Sequence, residues 1–201
     1  GDVGHTLIFG PTGAGKSTLL SFMAAQWLKY KDAQVFIFDK GYSSRVLTEC
    51  VGGSFFVVGA KADEPCFQPL KNVHLDPERI WASEWLLEIL ADQGCAITTE
   101  LKSEVWQSLI SLSEQAQKSR TISVFCSLVQ DNSVKEALSP FRLGGAYGYL
   151  FDADYECENN NHWQSFETAE LFEKKGAVKP VLAYLFHRLS MKFDGKPTLL
   201  I

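Results

Sequence analysis

Gly10-Pro11-Thr12-Gly13-Ala14-Gly15-Lys16-Ser17 decides how this chain is read. The stretch fits G-x-x-x-x-G-K-[ST], the pattern of a phosphate-binding loop. Thr6-Leu7-Ile8-Phe9 precedes it, short and apolar, which predicts a buried strand. Thr18 to Leu28 follows with the make-up of a helix. Strand, glycine loop and helix form the context this pattern needs. Glycines at 10, 13 and 15 let the backbone turn tightly and bring N–H groups against a phosphate chain without a Cβ in the way. A helix starting near Ser17 aims unpaired N–H groups and its positive end at the same place. Lys16 supplies a point charge for the outer phosphates. Ser17 offers a hydroxyl to Mg²⁺, a hard cation that prefers oxygen ligands. The candidate nucleotide-binding residues are therefore Gly10, Pro11, Thr12, Gly13, Ala14, Gly15, Lys16, Ser17 and Thr18, with Ser17 as the metal ligand.

Working outward, Gln34-Val35-Phe36-Ile37-Phe38-Asp39 predicts a second buried strand. It ends in Asp39-Lys40-Gly41. A carboxylate at the carboxyl end of a parallel strand stands where α/β sheets place ligands. The same residue could equally cap the turn that follows, and the sequence leaves both readings open. Ser43 or Ser44 opens a short helix through Cys50, closed by Gly52-Gly53, and Ser54–Val58 predicts a third strand. Residues 61–70 read as an irregular surface loop.

From Asp76 the period becomes helical. Asp76-Pro77 marks one helix start and Thr98 or Thr99 a second. Thr121 marks a third, and the capping box Ser133-Val134-Lys135-Glu136 a fourth. Trp81, Trp85 and Trp106 fall on apolar stripes and read as core rather than as a base-stacking platform. Asp152 to His162 is polar and acidic. It lacks the ligand spacing of a calcium loop and reads as a solvated connection. Trp163–Glu167 alternates apolar and polar as a strand would, Pro180 opens an apolar helix, and Thr198–Ile201 begins another buried strand. The expected organisation is 1–75 as the opening portion of a phosphate-loop α/β core, 76–141 as an all-helical insertion, and 142–201 as the return to the core.

Composition narrows the class. At 201 residues the chain can bury one sizeable core, and no apolar run approaches a membrane span. A net charge of −5 argues against a general nucleic-acid-coating surface. The cysteines Cys50, Cys66, Cys95, Cys126 and Cys157 are scattered without a C-x-x-C pair and predict reduced thiols in a cytosolic protein. The four histidines are equally scattered, so zinc has no support. In phosphate-loop enzymes a later strand ends in an acidic residue that holds Mg²⁺ and orients water. Here the strand at 198–201 has no such residue after it, which predicts a piece of a longer chain.

The chain resembles the TrbE/CagE-type family of conjugative-transfer ATPases, motors of type IV secretion systems in the HerA and FtsK branch of RecA-like ATPases. The stretches that carry the resemblance are GHTLIFGPTGAGKSTLL (4–20), AQVFIFDKG (33–41), CFQPL (66–70), WASEWL (81–86), LGGAYGYLFDA (143–153), PVLAYLFHRL (180–189) and DGKPTLLI (194–201). The resemblance implies a RecA-like core with a mostly parallel sheet and a helical lobe. It implies ATP and Mg²⁺ as ligands and an acidic pair directly after Ile201. Lys16 and Asp39 would be the catalytic candidates, Asp39 as a carboxylate supporting the nucleotide site. It further implies a homo-oligomer, of hexameric form, working with other machine components at the bacterial inner membrane, the protein itself being cytoplasmic and peripherally attached.

Three functions follow as alternatives. The first is an ATP-driven motor for conjugation or secretion. The second is a DNA-translocating ATPase of the FtsK or HerA kind, with DNA contact that the acidic balance does not favour. The third is a nucleotide-binding scaffold without hydrolysis. The chain as it stands, without the acidic pair, is expected to turn over little by itself.

Overall fold

The computed structural model describes residues 4–60, 67–156 and 160–201. Their regular elements, in chain order, are α1 (Lys16–Trp27), β1 (Gln34–Asp39), α2 (Arg45–Cys50), β2 (Ser54–Val57), α3 (Asp76–Asp92), α4 (Thr99–Ser113), α5 (Ile122–Leu128), α6 (Asn132–Ala137), α7 (Gly148–Phe151), β3 (Trp163–Glu167), α8 (Ala169–Phe172), α9 (Lys175–Ser190) and β4 (Thr198–Leu200). The fold is α/β with a wholly parallel four-stranded sheet in the order β2-β3-β1-β4. Among the described residues no helix is long and apolar enough to cross a membrane.

The chain forms two compact units. The first comprises Gly1–Val58, Asn159–Glu170 and Met191–Ile201, and holds the sheet. Its core joins Ala24 of α1 to Val35 and Ile37 of β1 and Trp163 of β3, flanked by Trp27, Leu47, Val51, Leu199 and Ile201. The central strands are buried on both faces, so β1 reads as a continuous apolar run. β3 is the expected strand and is buried at all five positions although its sequence alternates apolar and polar. Its polar residues find partners inside: Ser165 Oγ lies 2.6 Å from Thr48 Oγ1, and Trp163 Nε1 donates to the same hydroxyl at 3.0 Å. Gly53 passes the Trp163 ring so closely that a Cβ there would sit 2.6 Å from it.

Thr6–Phe9, predicted as a strand, is not one. Leu7 and Phe9 are 77% and 83% exposed. Apolar content alone does not make a strand; the backbone needs a neighbouring edge to pair with. Among the described residues β4 pairs with β1 alone, and no ladder reaches 6–9.

The second unit comprises Gly59–Glu158 and Leu171–Ser190 and is helical in its described residues. Thr98 and Thr121 cap α4 and α5 as expected, accepting from the N–H groups of Leu101 and Val124. α6 instead starts one residue before the expected capping box, with Asp131 accepting from Ser133 N–H at 2.7 Å. α9 begins five residues before Pro180, because Ala177, Pro180, Val181, Tyr184, Leu185 and Leu189 form one buried stripe. Pro180 is inside the helix, and its carbonyl accepts from Trp85 Nε1 at 3.1 Å.

The three tryptophans lie against this helical packing. Trp85 is buried, Trp81 stacks on it and on His187, and Trp106 lies under Arg79.

Two predicted surface segments turn inward. Phe67 to Leu70 is buried, with Phe67 N–H donating to Leu150 O at 2.7 Å; the loop's residues 61–66 lie outside the described residues. In the acidic stretch, Asp152 accepts from Ser123 and Leu143 N–H groups, and the Glu156 side chain, 4% exposed, accepts from Tyr184 OH and Arg188. A carboxylate spared from water in this way is an anchor, not a solvated face. Of the cysteines, Cys50, Cys95 and Cys126 are free thiols, and burial pushes Cys126 up to about 11; Cys66 and Cys157 lie outside the described residues.

Candidate functional site

The glycine loop leads directly into α1, with Gly15 as the residue before the helix. Gly13 and Gly15 both take left-handed backbone, at φ 83° and 82°. An L-residue pays for that conformation and glycine does not. The loop is closed by Ala14 N–H donating to Pro11 O at 3.3 Å, and the helix ladder starts with Leu19 N–H donating to Gly15 O at 2.9 Å. Among the described residues no backbone acceptor outside the helix meets the N–H groups of Gly13, Gly15, Lys16 or Ser17. They are the orphan donors of a helix amino end, and they lie on exposed residues apart from the half-buried Lys16. Lys16 Nζ folds back to donate to Gly10 O and Pro11 O, both at 2.7 Å. Around Gly13 and Gly15 a Cβ would meet nothing within 4 Å. An anion approaching this loop therefore finds amide donors, a cation and open room, a donor set that fits a polyphosphate. Ser17 would offer one hydroxyl oxygen to a divalent cation. Among the described residues no cluster of three histidine, cysteine or carboxylate side chains could hold a metal, so phosphate and water oxygens would complete the shell.

The position of this loop follows from α1. Trp27, at the helix end, donates from Nε1 to Pro197 O at 3.1 Å, and Gln34 N–H donates to the same carbonyl at 2.8 Å. The carboxyl end of α1 thus lies at the amino ends of β1 and β4. With Ala24 packed on Val35 and Ile37, the helix runs back along β1. Twelve helical residues cover about 18 Å and six strand residues about 20 Å. The glycine loop therefore stands at the opposite end of α1 from the amino ends of β1 and β4.

Asp39 is occupied by its own turn. Its carboxylate accepts from Ser43 Oγ at 2.8 Å, Ser44 N–H at 2.7 Å and Ser44 Oγ at 2.9 Å. Burial works to raise its pKa, but these bonds and one from the Lys40 backbone hold the carboxyl below its ordinary value. Among the described residues no hydrogen bond or ion pair joins Asp39 to Lys16. The structure therefore gathers Gly10 to Thr18 as one local site and gives Asp39 a separate set of partners in the next turn.

Glu167 was missed from sequence. It closes β3 in register with Asp39 and is fully buried. Its carboxylate accepts from Gly41 N–H at 2.9 Å, Tyr42 N–H at 2.5 Å and Ala169 N–H at 2.8 Å. The signal was present as an acidic residue closing an apolar strand, like Asp39 in β1. Two-residue alternation disguised it as a solvent-facing position.

Residues 4–41 match the family model of the central domain of the helicase HerA. The whole chain is 37% identical to a probable conjugal transfer protein TrbE of Sinorhizobium fredii and covers 31% of that protein. It is 39% identical to the conjugal transfer protein TrbE of Rhizobium radiobacter, covering 25% of it. Over its full length it is also 25% identical to the type IV secretion system protein virB4 of Bartonella henselae, covering 26% of it. A solved structure of VirB4 of Thermoanaerobacter pseudethanolicus superposes with a TM-score of 0.67 at 16% identity, over 94% of this chain and 57% of that one, a likeness of fold. The chain spans less than a third of the length of these curated relatives. Matches of this strength running the length of the chain, together with the shared fold, show that it belongs to the TrbE/VirB4 family of conjugal transfer and type IV secretion proteins.

Proposed function

We propose that the chain is the nucleotide-binding portion of an ATP-hydrolysing motor that powers a conjugation or type IV secretion machine. The family and its HerA-like segment imply a nucleoside triphosphatase. The observation that carries the reading is the loop at 10–17: two left-handed glycines, outward amide donors at a helix start, and the Lys16 ammonium on the loop rim. On binding, Gly13 to Thr18 N–H groups take the phosphate oxygens, and Lys16 leaves the carbonyls of Gly10 and Pro11 for the outer phosphates. Ser17 would help to hold a Mg²⁺ ion, which would supply charge neutralisation when bound. The residues of this chain position the triphosphate and stabilise charge that develops on it. Asp39 serves this site by holding its own turn, not as the base.

The proposal includes a homo-oligomer of hexameric form, attached peripherally at the cytoplasmic side of the inner membrane alongside other machine components. Equilibrium binding of an ATP analogue with magnesium to the full-length protein tests the nucleotide reading. Lys16→Ala is expected to abolish saturable binding and turnover at micromolar nucleotide. Unchanged binding by that variant would remove the basis of the proposal.

A second reading, a DNA-translocating ATPase, is favoured by the likeness of residues 4–41 to the HerA central domain and disfavoured by the net charge of −5. Hydrolysis stimulated by DNA, with affinity falling steeply as salt rises, would select it.

A further inference from the structure

In the second unit, residues 141–148 form a short loop folded tightly back on itself. It starts from the core, where Phe141 is fully buried against Phe151. Tyr147 N–H donates to Pro140 O at 2.7 Å, and Gly145 N–H donates to Arg142 O at 2.8 Å. The backbone passes itself so closely that a Cβ on Gly145 would collide with Ser139 O, and one on Gly148 with Arg142 O. Only glycine fits such a crossing. The Asp152 carboxylate accepts from Leu143 N–H at 2.5 Å and Ser123 N–H at 2.9 Å, which ties the loop to α5. What this frame holds out to solvent is Arg142 and Leu143. Leu143 is 78% exposed. Arg142 is exposed as well, and among the described residues its side chain makes no hydrogen bond or ion pair. Arginine is among the residues that anchor protein interfaces, and a backbone already fixed loses little freedom when it is bound.

The same unit carries a groove of opposite character. A cavity of about 710 Å³ opens between the end of α3, the start of α4 and α6. Its walls include Glu100, Glu104, Asp131 and Glu136 beside Leu101 and Ala137, and no lysine, arginine or histidine. None of the four carboxylates makes an ion pair among the described residues. Bonds from its own N–H and from Thr98 hold the Glu100 carboxyl below its ordinary value, and bonds from Ser133 do the same for Asp131. The groove therefore keeps its negative charge at neutral pH, and a cleft lined by one sign of charge attracts the other. We propose that the homo-oligomer assembles through these two features: Arg142 and Leu143 of one copy enter the acidic groove of the next, the guanidinium among the carboxylates and the leucine against Leu101 and Ala137. A planar guanidinium suits carboxylate partners. A contact that joins two different patches is heterologous, the kind that closes into rings. This inference rests on the homo-oligomer proposed above and is independent of the nucleotide reading of the loop at 10–17.

Sedimentation velocity of the full-length protein over a concentration series tests it. The variants are Arg142→Glu, the groove pair Glu100→Arg with Glu136→Arg, and all three substitutions together. Arg142, Glu100 and Glu136 are exposed, so the variants are expected to unfold with the parent. Arg142→Glu and the groove pair each set like charges against one another, and each is expected to raise the midpoint concentration of assembly at least about 10-fold. The triple variant reverses both sides of the contact and is expected to return to within about threefold of the parent. Leu143→Asp, which leaves the arginine in place, is also expected to raise the midpoint at least about 10-fold, as an acid now faces acids. Assembly of Arg142→Glu at the parental midpoint would overturn the inference and leave the loop to another component of the machine. Loss of assembly that the triple variant does not restore would overturn it too, because the effect would then not come from pairing. A parent that stays monomeric throughout removes the homo-oligomer and this inference with it, whereas an assembling parent matched by every variant removes the inference alone.

Discussion

Two segments of the first unit use the same backbone chemistry to opposite ends. The loop at 10–17 and the turn at 39–44 each contain two left-handed residues, Gly13 and Gly15 in one, Gly41 and Tyr42 in the other. Each therefore gathers N–H donors on one side. In the turn, two carboxylates from neighbouring strand ends consume those donors. In the loop, among the described residues, no carboxylate is seen to accept from these amides, and the Lys16 ammonium rests on the carbonyls of Gly10 and Pro11. A nest of amides is a structural joint where the chain supplies its own anion, and would be a ligand site where it does not.

This contrast can be broken or sharpened by substitution. The largest effect is expected at the open nest. Lys16→Glu should weaken binding of magnesium with an ATP analogue at least about 100-fold, since a charge-assisted contact contributes about 1.5–3 kcal/mol and reversal adds repulsion. Its unfolding free energy should move by less than about 0.5 kcal/mol, because the bonds Lys16 makes are exposed. Titration calorimetry and denaturant unfolding read the two quantities separately. At the filled nest the order reverses. Glu167→Ala should cost about 3 kcal/mol of stability, as three backbone donors lose a buried acceptor.

Gly15→Ala sits between these extremes. Its Cβ has room, but the φ of 82° does not suit it, so about 1 kcal/mol of strain is expected, read as a lower unfolding midpoint. The smallest effect concerns pH. Asp39 has a depressed folded pKa, so its contribution to stability is complete above the ordinary value of 3.8 and is lost as pH falls through the lower folded value. Asp39→Asn should therefore be less stable than the parent at pH 7, with the gap closing below about pH 4. A gap that stays constant down to pH 2 would show that the carboxylate is not held by Ser43 and Ser44 as described.

Much of the first unit was legible in the sequence because its signals are local. The glycine spacing of 10–17, the apolar run 34–39 and the Gly52-Gly53 stop after α2 each depend on neighbours in the chain. The threonine caps of α4 and α5 were legible for the same reason. What failed depends on distant partners. Thr6–Phe9 has strand composition and no strand edge to join among the described residues. Glu156 looks solvated until Tyr184 and Arg188, 28 and 32 residues further on, close over it. Glu167 looks like the wet face of an alternating strand until β1 and β2 flank it on both sides. The glycine loop is a pattern of eight consecutive residues, whereas the carboxylate clamp on the turn at 40–44 is assembled by strand register and leaves no local signal.

Amide hydrogen exchange on the full-length protein, with and without a non-hydrolysable triphosphate and magnesium, tests the central contrast most directly. The expected result is strong slowing at Gly13, Gly15, Lys16 and Ser17 only when nucleotide is present, with Gly41, Tyr42 and Ser44 already slow in its absence. Exchange at 13–17 that ignores the nucleotide, or amides at 41–44 that become protected only on its addition, would contradict the account.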